Sequence, residues 1–320
     1  MLNSTLPKEW DERLIDHSGH FLQSSHWAAF QQSVGNEVVF DAGPGWSYLA
    51  SVRNVRRLKY LFVQCGPTIA EPKNLTQALR SLYTKADELG CTFVRIEPLG
   101  DASEQDLMEL GAREVAPVEP KYPWVLDISP SEEVLRSGLS AGHRYGVNSA
   151  SRKGLHFAES KKDSDVELFL KMMHDTTKGR FSAHEDDYYR TMLKVLGRRD
   201  AAKLFIARHE GEPIASALVF DWNKTRYYAH AGAFQAQNRK LSAAMPLVWH
   251  MILDAKAHGF TQFDFWGVTP SDDPAHPWAG FTKFKKAFGG KMLTRVGTWE
   301  VPVRQSSYRL YKLAKRIRRV

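Results

Sequence analysis

The sequence has only two cysteines, Cys65 and Cys91. They have neither metal-ligand spacing nor the partners of a disulfide framework. A stapled secreted scaffold is excluded, and both read as small core residues in a reducing compartment. Long apolar runs are also missing. No segment approaches the ~18 uninterrupted apolar residues of a membrane span, and MLNSTLPKEWDERL puts charges where a signal peptide needs an apolar stretch. The expected location is the cytoplasm. His17 and His20 are close in sequence, but there is no HExxH and no Cys/His cluster, so no metal site is expected. A Walker-type loop and a GxGxxG after a strand are absent too, as are sustained heptads.

What the chain does have is an apolar fraction of 43% over 320 residues, enough for one large domain or two ordinary ones without staples. It also carries a net charge of +8, with a pI near 9.3. That balance suits RNA, nucleotide phosphates or an anionic membrane face, and by itself does not choose among them.

Periodicity gives the elements. Trp27, Phe30 and Val34 mark a helix stopped by Gly35, with Trp27 a plain core candidate. Residues 46–52 and 58–63 form a hairpin around the basic RNVRR. A helix over 75–90 feeds the strand CTFVRIEP. Laying Ala86 and Gly90 on Ala255 and Gly259 brings Val94 and Ile96 onto Phe263 and Phe265, each glycine suiting a left-handed helix cap. A second helix follows each strand: DLMELGAREV in the first copy, FTKFKKAFGGKM in the second. The second copy also holds an insertion, VTPSDDPAHPWAG. We read two copies of one α/β unit, the second specialised. Ser129-Pro130-Ser131-Glu132 reads as a capped helix start opening the second domain. Residues 166–173 form a helix that TTKGRF leaves as a basic turn, and strands follow at 204–208, 215–221 and 225–232. A C-terminal helix carries Leu310, Leu313 and Ile317 on one stripe among many cations. It suits anionic lipid, RNA, or docking on its own first domain.

Two motifs test function classes. GLSAG at 138–142 matches the GxSxG elbow of serine hydrolases, but a capped helix precedes it where the elbow needs a strand. Residues 239–244, RKLSAA, precede a helix as the pyrophosphate cradle of acyl-CoA N-acyltransferases does. Arg239 and Ala244 fit that cradle, whereas Ser242 stands where its first glycine belongs.

Taken together, FLQSSHWAAF, the GP at Gly66, RIEP, HRYGVNSASRKG, TTKGRF, RYYAHAGA, FDFWGV and FTKFKKAFGG resemble the Fem family (FemA, FemB, FemX) of peptidoglycan bridge aminoacyltransferases. The resemblance implies an α/β (α+β) fold of two tandem GNAT-like domains, here of the armless FemX-like type without a coiled-coil arm. The expected boundaries are 1–128, joined by a C-terminal helix at 303–320, and 129–302. Aminoacyl-tRNA is implied as co-substrate, with no cofactor. The implied acceptor is an amine of UDP-MurNAc-pentapeptide or lipid II. A peripheral contact with the inner face of the membrane is a further expectation; a stable protein partner is not. The alternatives are an acyl-CoA-dependent N-acyltransferase and a non-enzymatic RNA- or membrane-binding GNAT-fold protein.

Transfer from an activated ester to an amine needs positioning, proton removal and oxyanion stabilisation. The resemblance points to Lys285 for the oxyanion and Glu97 for the proton. Arg180 is the candidate for the acceptor's phosphates, by bidentate guanidinium contact. Tyr227 or Tyr228 should line the same groove, strand alternation placing one in the core and one outside. Phe284, Asp264, Trp27 and Arg144 complete the substrate-binding set. For tRNA, the basic run from Arg144 to Lys162 and the C-terminal tail supply candidate phosphate contacts.

Overall fold

The same helix-to-strand joint is built twice. In the helix Pro72–Glu88, Leu75, Ala78, Leu79, Leu82 and Ala86 recur at helical spacing, and all are buried. Beyond it the Cys91 N–H donates to the Ala86 carbonyl at 2.8 Å and the Gly90 N–H to Asp87 at 2.9 Å, with Gly90 at φ +71°. Beyond the helix Ala244–Ala257, Phe260 donates to Ala255 at 3.1 Å and Gly259 to Lys256 at 3.0 Å, with Gly259 at φ +79°. Glycine takes this left-handed turn without a Cβ clash, so each helix is reversed straight into a strand.

The computed structural model describes residues 6–55, 58–177 and 184–317, apart from the Arg239 side chain. The chain divides into two units, Met1–Lys121 with Arg295–Val320, and Tyr122–Thr294. The first unit holds an eight-stranded sheet, the second a seven-stranded one. In the first, Leu58–Val63 runs parallel to Phe93–Ile96, whose other neighbour is Thr298–Pro302, and Arg113–Val115 lies beyond. In the second, Thr225–Ala233 runs parallel to Gln262–Gly267, whose other neighbour is Pro123–Asp127, and Lys291–Met292 lies beyond. The repeat is therefore one of topology as well as pattern. Each unit has its own core, one around Leu75, Leu82, Val94 and Trp299, the other around Phe205, Leu247, Ile252, Phe263 and Phe265.

Several expectations shift. The chain crosses between units at 121/122 and 294/295 instead of 128/129 and 302/303. Pro123–Asp127 is hydrogen-bonded into the second sheet and Thr298–Pro302 into the first, which moves both boundaries. Ser129 does not start a helix. Its N–H is taken by Asp127 Oδ1 at 2.9 Å, and Ser131 is the N-cap of the helix Glu132–Ser137. The helix Asp163–Thr177 continues through Thr176 and Thr177, where the sequence pattern predicts a turn. GLSAG lies between two helices, with Ser140 capping Ala141–Ser149, so no nucleophile elbow forms. Both cysteines are buried, and neither forms a disulfide. Among the described residues no helix is long and apolar enough to cross a membrane, no group of acids, histidines or cysteines could hold a metal ion, and the longest helix has 17 residues, leaving no coiled-coil arm.

Candidate active site

The two parallel strand pairs end differently, and this locates the site. In the first unit the ladder from Tyr60/Phe93 to Val63/Ile96 continues past the cis Gly66-Pro67 bond. Glu97 N–H donates to Gly66 at 2.8 Å, Leu99 to Pro67 at 3.0 Å, and Thr68–Ile69 then pairs with Leu99–Gly100. That wedge is closed. In the second unit the ladder stops at Tyr227/Asp264, although one strand runs on to Ala233 and the other to Gly267. Beyond Tyr227 and Asp264 the two backbone edges are no longer paired, and we take this opening of the ladder as the candidate cleft.

Gln262–Gly267 is irregular on that stretch. A bulge against Pro123–Asp127 falls between Asp264 and Gly267, and Trp266 is left-handed at φ +65°. Asp264, 5% exposed, fixes the kink by accepting the Trp266 N–H at 2.6 Å. The kink lets the Gly267 carbonyl accept from Lys285 Nζ at 2.7 Å. Lys285 lies on the helix Ala279–Lys286, closed by the FGG turn. Gly290 sits at φ +94°, and a Cβ there would lie 2.5 Å from the Val125 carbonyl, so the helix returns against its sheet only with glycine. Burial pulls the Lys285 ammonium down to about 8, against an opposing pull from the Asp264 carboxylate. The loop from 268 is pinned to this helix by Thr269 N–H donating to Thr282 Oγ1 at 3.0 Å.

The aromatic candidates surround these groups. The Tyr227 ring meets Trp266 edge-on at 6.0 Å; Tyr228, on the opposite face, meets Phe265 at 6.3 Å. Alternation separates them as expected, but neither is fully exposed: Tyr227 is buried and Tyr228 half-buried. Tyr227 is 6% exposed, and burial among the core rings pushes the Tyr228 phenol up. Phe284 packs on His143 and Phe288, each at 5.4 Å between ring centroids, and so anchors the helix carrying Lys285. Lys285, Asp264 and Tyr227 are thus assembled around one bulge, while Phe284 faces the core and only anchors the helix that carries Lys285.

Arg144 is placed elsewhere. Its guanidinium donates to the Ser137 and Leu139 carbonyls, both at 2.9 Å, finishing a short helix. Arg180 lies outside the described residues. The helix leading to it ends at the cleft, where Thr176 Oγ1 accepts the Ala233 N–H at 2.9 Å. Glu97 and Trp27 belong to the first unit. Glu97 is 5% exposed and accepts from Cys65 N–H at 3.1 Å, Glu119 N–H at 2.8 Å and Thr298 Oγ1 at 2.7 Å. Trp27 Nε1 donates to Gln64, and Gln64 donates to Glu119, so one chain of hydrogen bonds joins Trp27 to Glu97. The left-handed Trp266 and the Gly267 carbonyl were missed from sequence; the one available signal was the glycine in FDFWGV, which closes the strand.

The acyl-CoA cradle is altered in a specific way. Ser242 adopts the left-handed conformation that glycine favours, at φ +55°, after a helix Gln235–Leu241. The Ala244 N–H that opens the next helix donates to Asn238 Oδ1 at 3.1 Å. In the first unit the corresponding helix starts from Glu71, whose N–H donates to Asn74 Oδ1 at 3.1 Å, and whose carboxylate charge disfavours an anion there.

The FemAB family model matches residues 110–210 and 197–316. The chain belongs to the FemAB family. Aminoacyltransferase FemA of Staphylococcus epidermidis is 26% identical over 118 residues, which are 37% of this chain and 28% of that protein. FemA of Staphylococcus aureus is 27% identical over 110 residues, 34% of this chain and 26% of that protein. The matched stretch thus spans about a quarter of the curated relatives' length. A crystal structure of FemX superposes with a TM-score of 0.84 at 16% identity, covering 95% of this chain and 97% of FemX. A tandem GNAT protein from the clavulanic acid biosynthesis pathway gives 0.56 at 12% identity, with 91% and 92% covered. This FemAB member accordingly has the fold of two tandem GNAT-like domains that the family resemblance implied and the internal repeat agrees with.

Proposed function

We propose that this FemAB-family chain is an aminoacyl-tRNA-dependent aminoacyltransferase that adds an amino acid to the stem-peptide amine of a peptidoglycan precursor, UDP-MurNAc-pentapeptide or lipid II. The carrying observation is the half-buried Lys285, held on the Gly267 carbonyl beside Asp264 at the bulge where the parallel ladder has stopped. A cation desolvated at a strand bulge is suited to an oxygen that becomes negative only during reaction, because a low-dielectric site strengthens its field.

The acceptor amine attacks the ester carbonyl carbon of the donor, and the oxyanion forms against the Lys285 ammonium. Collapse breaks the bond to the ribose oxygen, which leaves as a hydroxyl carrying the proton the amine loses. Asp264 keeps Lys285 charged and shapes the bulge; Tyr227 and Trp266 wall the cleft. Arg180 is assigned to the acceptor's phosphates on the family resemblance. Glu97 is better suited to fixing the Cys65–Pro67 turn than to taking a proton, since both of its oxygens already accept internal hydrogen bonds. Aminoacyl-tRNA enters as co-substrate, and no cofactor is assigned. The capped helix start at Ala244 supports this donor over acyl-CoA, because the N–H that would face a pyrophosphate is occupied.

The test is to incubate the protein with UDP-MurNAc-pentapeptide or lipid II and either labelled aminoacyl-tRNA or labelled acetyl-CoA. Label reaching the peptide from the tRNA is the expected result. Label arriving only from acetyl-CoA would replace this reading by the N-acyltransferase one.

A further inference from the structure

The C-terminal helix Gln305–Ile317 is attached by one face only. Tyr308 is fully buried, donates to Glu300 at 2.9 Å, and meets Phe93 edge-on at 5.7 Å. Tyr311 stacks on Phe93 at 5.1 Å. The turn between them and the turn beyond present the opposite face. There Leu310, Leu313 and Ile317 are 68%, 58% and 67% exposed, a continuous aliphatic stripe at helical spacing. Exposed Arg309 and Arg316 lie along one flank of it. Towards the body of the unit, Lys312 and Lys315 lie over the Tyr308 and Tyr311 rings, both at 5.9 Å. An open groove of about 840 Å³ beside the helix is lined by Lys312, Lys315 and Arg316, with Glu114 as its acid.

The helix therefore already has its intramolecular contact, and the stripe is additional to it. Scattered exposed leucines need no explanation, but three on one face of a helix bordered by cations do. We infer that this face is a docking surface for an anionic lipid bilayer. Aliphatic side chains enter the acyl boundary while the flanking arginines and lysines meet negative headgroups, a two-part match that a bilayer supplies. RNA would satisfy the charges but leave Leu310, Leu313 and Ile317 in water, and the helix's tyrosines, which could stack on bases, are turned inward. The inference is independent of the aminoacyl-transfer reading, since it uses none of the cleft residues.

Flotation of the full chain with vesicles tests it without any turnover. The expected result is retention on vesicles of phosphatidylcholine mixed with phosphatidylglycerol, weakened by salt, and none on phosphatidylcholine alone. The double variant Leu310→Glu/Leu313→Glu, at solvent-exposed positions, should keep the near-UV circular dichroism of the parent and lose at least tenfold in vesicle affinity. Arg309→Glu/Arg316→Glu should do the same. Equal retention on both vesicle types, or full retention of either variant, overturns the inference. So does a leucine variant that loses affinity for an RNA oligomer instead, or one that abolishes a concentration-dependent dimer while vesicle binding is nil throughout.

Discussion

Lys285 is placed where it works against stability. Burial brings its ammonium from an ordinary 10.5 to about 8, and this has a definite sign in folding. Below pH 8 the folded and unfolded chains both hold the proton, so the cost of burying the charge is present in full. Between about 8 and 10.5 only the unfolded chain remains protonated, and stability of the parent protein climbs with pH. Lys285→Met should therefore be no less stable than the parent at pH 7, with a gain on the order of 1–3 kcal/mol offset in part by the freed Gly267 carbonyl. The difference should shrink above pH 8 in urea titrations run across that range. Turnover should fall at least ~100-fold, as when an oxyanion donor is removed. In the parent, single-turnover rates should decline on the alkaline side with an apparent pKa near 8, because the protonated lysine is the active form. A variant that loses stability and keeps its rate would make Lys285 an ordinary structural cation.

Among the elements, what could be read from sequence was what depends on neighbours in the chain. Gly90 and Gly259 announced the two helix-to-strand joints, and Val94, Ile96, Phe263 and Phe265 announced the inward faces of the strands that follow. What decides the site depends on residues far apart. The closed wedge of the first unit needs Glu97 to meet Gly66, and the open one of the second needs the ladder to stop beyond Asp264. No local pattern encodes either, and the Trp266 kink is stabilised by a side chain two residues away that could equally have faced solvent. Arg144 shows why: an arginine finishing a helix, as it does here on the Ser137 and Leu139 carbonyls, and one binding phosphate look alike in sequence. Ser242 shows the reverse case: the turn that family cradles build with glycine is retained in shape by a serine. Ser242→Gly should relieve the left-handed strain and stabilise by about 1 kcal/mol. It should confer no acetyl-CoA-dependent turnover, since Asn238 still takes the Ala244 N–H. Gain of such turnover in the variant would show that Ser242 alone had been blocking a CoA site.

Over the whole molecule, chain order and spatial order part company in the first unit. Its strand Thr298–Pro302 is made from residues that follow the entire second unit, yet it lies between Phe93–Ile96 and Arg113–Val115 and pairs with both. Trp299 is 1% exposed in that core, and the fully buried Glu300 accepts from Arg95 and Tyr308. The second unit, by contrast, draws all of its strands from one continuous stretch, Tyr122–Thr294. Ending the chain after Thr294 would remove an interior strand from one sheet and no strand from the other. Arg95 would lose its buried carboxylate partner, a loss of about 3–5 kcal/mol in itself, and the unpaired strand edges of Phe93–Ile96 and Arg113–Val115 would add to it. Hydrogen exchange on the truncated chain should then show protection lost through Trp46–Val63 and Phe93–Ile96, and kept through Ala202–Ala233 and Gln262–Gly267. Protection lost uniformly in both sheets would mean that the second unit also relies on the residues after Thr294.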